Sequence, residues 1–429
     1  MLRRTASALA AVLALATVAT ACARSGPDPA TAARSRGPIT VWLSNNAQEA
    51  EWGRQMVADW NRLHLDQRVT AQNIPAGKTS EEAISASIIA GTSACLVFNT
   101  SPASVPQFQK QAGLVPLSDF PDGEQYIESR SGGLAGQYRS EDGKYYQLPW
   151  KSNPVMILYN KKLFAKAGLD PERPRLATYG QFLDTARKLV RSGATEAALW
   201  PAPSSEFFQS WFDFYPAFAA QSGGRSLVED GKPQFDSPAG RQVADFWSTI
   251  YREKLAPKEL YPGDALADGK AAMATVGPWA VAAYKDRVDW GVVPVPTSDG
   301  RPASRIHTFS DQKSVGMFSA CENRATAWDV MKFATSERED GRFLATTGQM
   351  PVRDHVEREF ADWFAKNPAY RPFADQAGRV VEVPNVAGSI DVWQTFRDAW
   401  TRSVVFGRQS PASALREAAA GTRTILGEY

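Results

Sequence analysis

The heptapeptide Met273-Ala274-Thr275-Val276-Gly277-Pro278-Trp279 holds the side chain best suited to grip a flat ligand. A Gly-Pro break directly ahead of the indole predicts a helix start at Trp279, with the ring free to face a cleft. The C–H faces of a pyranose are apolar while its hydroxyls need hydrogen bonds, so an aromatic plane with polar neighbours suits a sugar. A packed core position is the competing reading of the same Trp. Eight more aromatics stand between Trp200 and Phe218. Phe207, Trp211, Phe214 and Phe218 keep helical spacing and predict a buried stripe, and one or two of Trp200, Trp211 and Tyr215 are expected to reach the cleft. Other chemistry has no pattern to rest on. A glycosidase needs two positioned carboxylates, and 46 acidic residues supply candidates without singling out a pair. The three His, at 64, 307 and 355, lack metal-ligand spacing, and there is no Gly-x-Ser-x-Gly elbow or phosphate loop. No catalytic residue, metal or cofactor is expected.

The elements that would position such a site need a long chain. At 429 residues and 43% hydrophobic content, two domains with substantial cores are expected. Lys and Arg number 48 against 46 acids, with no run of like charge, so the footprint of a nucleic-acid binder is missing. Residues 1–22 read as an export signal, with Arg3 and Arg4 ahead of an uncharged apolar stretch too short to span a bilayer. Ala19-Thr20-Ala21-Cys22 resembles a lipobox, with Ala where Leu is usual at position 19; ordinary cleavage after a small residue is the alternative. Residues 23–37 would then be a flexible leash, and no other stretch is apolar enough to cross a membrane. The expected location is the outer face of the cell membrane, reached through a lipid anchor only.

Ile39 to Leu43 is a β-branched and aromatic run that ends in Ser44-Asn45-Asn46, which can cap a helix carrying Trp52, Met56 and Trp60 at helical spacing. Arg68 to Gln72 reads as a second strand. Thr79 and Glu82 have capping-box spacing ahead of a helix that Gly91 ends, and Cys95 to Phe98 is a third strand. Such β-α-β-α-β alternation predicts a mainly parallel sheet covered by helices, with ligands at the loops beyond the strand ends. Those loops contain Asn45 and Asn99. Two prolines within the extended segment around Lys151-Ser152-Asn153-Pro154 point to a crossing between lobes, and Trp290 to Pro296 reads as a second crossing. Ser237-Pro238 predicts a further helix start.

Two stretches together resemble the sugar-binding proteins of ATP-binding cassette importers, the maltose-binding-protein-like group. One is Met273-x-x-x-Gly277-Pro278-Trp279. The other runs from Leu148-Pro149-Trp150 through Leu158-Tyr159-Asn160-Lys161 to Ala167-Gly168-Leu169 and an aromatic-led helix at Thr178-Tyr179. In that group the Trp matching Trp279 stacks on the ligand. The resemblance implies a third crossing at Gly348 to Arg353, and the turn-rich stretch Pro384 to Ser389, ahead of the Val392, Trp393 and Phe396 stripe, is expected to close over the ligand. Thr308-Phe309-Ser310-Asp311 departs from the group's glycine-rich loop and offers Asp311 as a hydroxyl acceptor. The implied ligand-binding set is Trp279, Gly277, Trp150, Asn153, Asn45, Asn99, Trp200, Trp211, Tyr215, Asp311, Asn385 and Ser389.

The reading is therefore an α/β chain with a two-lobed periplasmic-binding-protein-like fold, each lobe a mainly parallel sheet flanked by helices. Residues 38–149 and 297–346 would form the N-terminal lobe, and 150–296 with 347–429 the C-terminal lobe. The implied function is capture of a di- or oligosaccharide or amino sugar by a monomer, and its delivery to the permease subunits of the importer. A secreted glycosidase or lyase is the alternative, and a polyamine or iron binder of similar architecture would need clustered acids or tyrosines in the cleft. If Cys22 is lipidated, Cys95 and Cys321 remain. Cys95 opens the third strand and Cys321 follows a strand over Ser314 to Phe318, so a disulfide and two small buried thiols both stay open; a Cα separation above about 7 Å excludes the bridge.

Overall fold

The computed structural model describes residues 27–77, 79–201 and 209–428, without the side chains of 209–211 and 428. The expected export signal, Cys22, Phe207, Phe208 and the Trp211 side chain lie outside the described residues. In chain order the strands are β1 (Ile39–Leu43), β2 (Val69–Asn73), β3 (Leu96–Thr100), β4 (Leu148–Ser152), β5 (Met156–Asn160), β6 (Ala197–Leu199), β7 (Val228–Glu229), β8 (Lys232–Pro233), β9 (Ala271–Val276), β10 (Trp290–Val293), β11 (Thr308–Phe309), β12 (Lys313–Met317), β13 (Met350–Pro351) and β14 (Val380–Val381). Six of them make the first lobe's sheet, in the order β13-β4-β12-β3-β1-β2. The second lobe's sheet has the order β10-β5-β9-β6, while β11 pairs with β14 and β7 with β8.

The opening alternation folds as its residues dictate. Asn46 caps the helix Ala47–Leu63 by accepting from the backbone of Gln48 and Glu49. Thr79 caps Ser80–Ala90, and Gly91, at φ 65, closes that helix in the left-handed region. β1, β2 and β3 are mutually parallel. The mainly parallel expectation ends there. β12 runs antiparallel to both β3 and β4, and β13 runs antiparallel to β4, so the sheet is mixed. In the second sheet β6 and β9 are parallel, and the other two pairings are antiparallel. The reason is the route of the chain: β4 leaves for the other lobe in the direction of β3, and β12, arriving from it, runs against both; β5, arriving in the second lobe, likewise runs against β9 and β10.

Trp52, Phe98, Trp150 and Phe343 nest at ring distances of 4.8–5.8 Å in the first core. Phe214, Phe396 and Trp400 do the same in the second. Asp340, fully buried, is held by both Nη2 contacts of Arg130, at 2.8 and 2.9 Å, and by Arg353 at 3.1 Å. A disulfide joins Cys95 to Cys321 with Cα atoms 4.4 Å apart, at the end where β3 and β12 lie side by side.

Two sequence expectations change. Trp290–Val293 is an edge strand of the second sheet paired with β5, not a crossing. Its prolines, Pro294 and Pro296, follow the strand, where no ladder donor is needed. The chain rejoins the first sheet only at Lys313. The leash is also shorter than residues 23–37: Pro29–Arg34 is a helix whose N-cap, Asp28, accepts from Thr31. This helix is held on the first lobe by Arg36 on Asp329 at 2.6 Å and by Gly37 donating to Thr326 Oγ1 at 3.1 Å. Asp28-Pro29 was a helix-start signature in plain view. Among the described residues no helix is long and apolar enough to cross a membrane, and no group of three or more His, Cys, Asp or Glu is placed to hold a metal.

Candidate functional site

The ends of β1 and β3, the start of β12, the end of β4 and the start of β13 come to one edge of the first sheet, as the pairs Ser314–Thr100, Lys313–Lys151 and Met350–Ser152 require. Loops 44–46, 99–101 and 311–312 open from that edge. On the second sheet, Val276 pairs with Met156 and Val293 with Ile157, so Gly277-Pro278-Trp279 leaves at the edge from which β5 starts. The two edges are joined through short crossings, which pair with each other at Pro154 and Ser310. They therefore face one another, the arrangement of a cleft.

Trp279 starts the helix Trp279–Tyr284 and is half-buried. Its indole folds back over Gly277: an ideal Cβ there would lie 1.9 Å from Cζ3 of the ring. Gly277 is thus the residue that makes room for the indole. The indole meets Phe212 edge-on at 6.0 Å, and Phe212 meets Phe309 of β11 at 5.9 Å, so an aromatic line leads from the second sheet to a crossing. Asn45 is exposed, accepting from Asn73 Nδ2 at 3.2 Å. Asn99 is half-buried at φ 78, a left-handed position that Asn tolerates better than most residues. Asp311 is half-buried, 3.1 Å from Lys313 Nζ. Trp200 is half-buried with Nε1 donating to Glu259 O at 2.9 Å. Asn385 donates across to Arg139 O at 3.2 Å, tying its loop to the first lobe.

Four residues of the expected set are buried, and three of them are core or framework. Trp150 is 1% exposed inside the first aromatic nest, because β4 is covered on both faces. Tyr215 is fully buried, stacked on Phe309 at 5.1 Å with its hydroxyl donating to Glu382 O. Ser389 is buried and donates to Pro384 O at 2.9 Å, which folds the turn ahead of its helix, and it also lines the gap between the lobes. Asn153 is buried among the crossings, its amide hydrogens already spent.

What sequence reasoning missed is the polar wall. A cavity of about 990 Å³ lies between the lobes, with Glu81, Glu82, Gln107 and Lys110 on the first-lobe side and Asp391 and Gln394 on the second. Glu82 had been legible only as part of a capping box, and Thr79 Oγ1 does accept from its backbone at 3.1 Å. The same turn points its acids at the gap. Burial opposes the charge on Lys313, yet Asp311 and then Glu81 outweigh it and hold the ammonium above the usual lysine range. Glu81 thereby links the cavity to the edge where β12 begins. Carboxylates, amides and an ammonium on one wall can satisfy many hydroxyls at once.

The sequence pattern of the family described as bacterial extracellular solute-binding protein matches residues 46–340. A putative binding protein of Brucella abortus is 24% identical over 300 residues, 66% of this chain and 69% of the relative. The diacetylchitobiose binding protein DasA of Streptomyces coelicolor is 23% identical over 353 residues, 74% of each chain. Among solved structures, the cyclic alpha-maltosyl-1,6-maltose binding protein from Arthrobacter globiformis superposes with a TM-score of 0.77 at 21% identity, covering 92% of this chain and all of that one.

Proposed function

The chain belongs to the bacterial extracellular solute-binding protein family, and from that premise we propose that it captures a carbohydrate between its lobes and delivers it to the permease of an ATP-binding cassette importer. The observation that carries this reading is Trp279: a half-buried indole, seated by a glycine, at the edge of the second sheet where β9 ends beside the start of β5. Its apolar face suits the C–H face of a sugar, while Glu81, Glu82, Gln107 and Gln394 on the cavity wall, and Asp311 beside Lys313, suit the hydroxyls. Relatives named for diacetylchitobiose and for maltodextrin favour a di- or oligosaccharide or an amino sugar. A ligand that touches both lobes stabilises the closed form, because only there are all contacts made. The chain acts as a binding protein rather than an enzyme, as a monomer, on the outer face of the membrane after removal of residues 1–21 and lipidation of Cys22. Incubation with a panel of chito- and malto-oligosaccharides, read by thermal shift and by product chromatography, tests this. Thermal stabilisation with the sugar recovered intact is expected. Cleaved product would favour a carbohydrate-active enzyme, and no shift with any sugar would sink the carbohydrate reading. Mass spectrometry of the membrane fraction checks the lipid on Cys22.

A further inference from the structure

Three crossings join the lobes, around Asn153, over the segment ahead of Lys313 that holds Ser310 and Asp311, and around Gln349, and one side chain holds all three. Asn153, on the first, is 2% exposed, and its two amide hydrogens go to different places. Nδ2 donates to Asp311 O on the second crossing at 2.9 Å and to Gln349 Oε1, just ahead of β13 on the third, at 3.1 Å. Gln349 passes the connection on, its Nε2 donating to Glu49 Oε1 at 2.7 Å, an oxygen that also accepts from Lys151. Glu49 stands in the first turn of the helix capped by Asn46, so the relay ends at the cleft loop 44–46. Further bonds brace the knot: Asn153 N donates to Ser310 Oγ at 3.1 Å, Asp311 N to Asn153 O at 3.2 Å, and the hydroxyls of Ser152 and Ser310 lie 2.8 Å apart. Glu49, Lys151, Asn153, Ser310 and Gln349 are all buried.

We infer that Asn153 and Gln349 are positioning residues for lobe closure, making the three crossings turn as one unit and tying that turn to the cleft loop. This rests on the reading of the chain as a two-lobed binding protein, not on the identity of its ligand. The physical reason is the burial of the knot. A crossing that rotated alone would leave a buried amide or carbonyl unpaired, and water cannot make up the loss there. Independent motion is therefore penalised while concerted motion is not. Asn153 Oδ1 has no partner, so the side chain is oriented by its donors alone, and replacing the amide removes the whole junction.

The test needs no sugar. Spin labels on Gln55→Cys and Arg252→Cys, two exposed sites on different lobes, report the interlobe distance distribution in a Cys22→Ser chain. Into this background go Gln349→Met, which keeps the side-chain volume and leaves the Asn153–Asp311 bond, and Asn153→Leu. The expected result is a shifted and broadened distribution in both variants, because the crossings then move separately. A merely structural role would lower the melting temperature and leave the distribution as it was. Should Asn153→Leu fail to fold, Gln349→Met decides alone: an unchanged distribution overturns the inference. Failure of the sugar screen would leave this result untouched, and the reverse also holds.

Discussion

Gly277→Ala adds one carbon where the indole of Trp279 already is. The new Cβ would stand 1.9 Å from Cζ3, 2.5 Å from Cε3 and 2.7 Å from Cη2. Carbon atoms settle at about 3.5–4.0 Å, so the ring has to swing off its seat or the strand end has to retreat. Gly277 is not among the residues at positive φ, so the methyl group meets no backbone strain and the whole cost is this clash. Overpacking of this kind costs about 1–3 kcal/mol. The same displacement takes the platform away from the cleft, and losing a buried aromatic anchor weakens binding by about 2–4 kcal/mol. Trp279→Ala removes the platform outright; because the indole is partly exposed, its stability cost should fall below the ~3–5 kcal/mol of a fully packed Trp. In the double variant the methyl has nothing left to strike. Calorimetric melts of the four members of this cycle, with titration of the sugar found by the screen, give both energies. The coupling between the two sites should equal the cost of Gly277→Ala alone. If Gly277→Ala costs the same with and without Trp279, or leaves sugar affinity unchanged, the seat-and-platform account is wrong.

Three further outcomes can be measured without a ligand. Burial alone pushes the Asp213 carboxyl up to about 7 from an ordinary 3.8, so the folded chain holds a proton that the unfolded chain releases between those values. Its stabilisation is complete below about pH 4 and lost as pH rises through 7; melts should show Asp213→Asn gaining on the parent from pH 5 to pH 8. Asp340→Asn leaves Arg130 and Arg353 without their shared carboxylate in a dry site, which should cost about 3–5 kcal/mol in urea unfolding. The Cys95–Cys321 bridge closes a loop of sequence separation 226, and reduction should cost about 2–5 kcal/mol; a Cys95→Ser, Cys321→Ser chain should melt alike with and without reductant.

The sequence spelled out what depends on neighbours in the chain. The caps at Asn46, Thr79 and Ser237 and the left-handed Gly91 stand where their spacing puts them. Gly277-Pro278-Trp279 was readable as a unit, though not that the glycine serves the indole. Burial was another matter. Trp150 and Tyr215 looked like cleft aromatics because nothing local records whether both faces of a strand or helix are covered. Trp290 to Pro296 looked like a crossing because a proline just past an edge strand and one inside a linker read alike. The relay of Asn153, Gln349 and Glu49 joins residues 196 and 300 positions apart, and three amide or carboxylate side chains at such separations carry no pattern.

The disulfide has a consequence in time. All four strands of the second sheet lie between Cys95 and Cys321, and so does β12, which stands between β3 and β4 in the first sheet. At about 5–20 residues per second, a ribosome that has passed Cys95 reaches Cys321 only some 11–45 s later. Until then β4 has no partner in the first sheet and β3 carries a bare edge, the kind of surface that recruits other chains. The strands of the second sheet, whose last residue is Val293, are complete before that edge is covered. The lobe that begins the chain is thus the one whose sheet finishes last, and the nascent molecule is most open to aggregation not while it is short but after half of it has already been built.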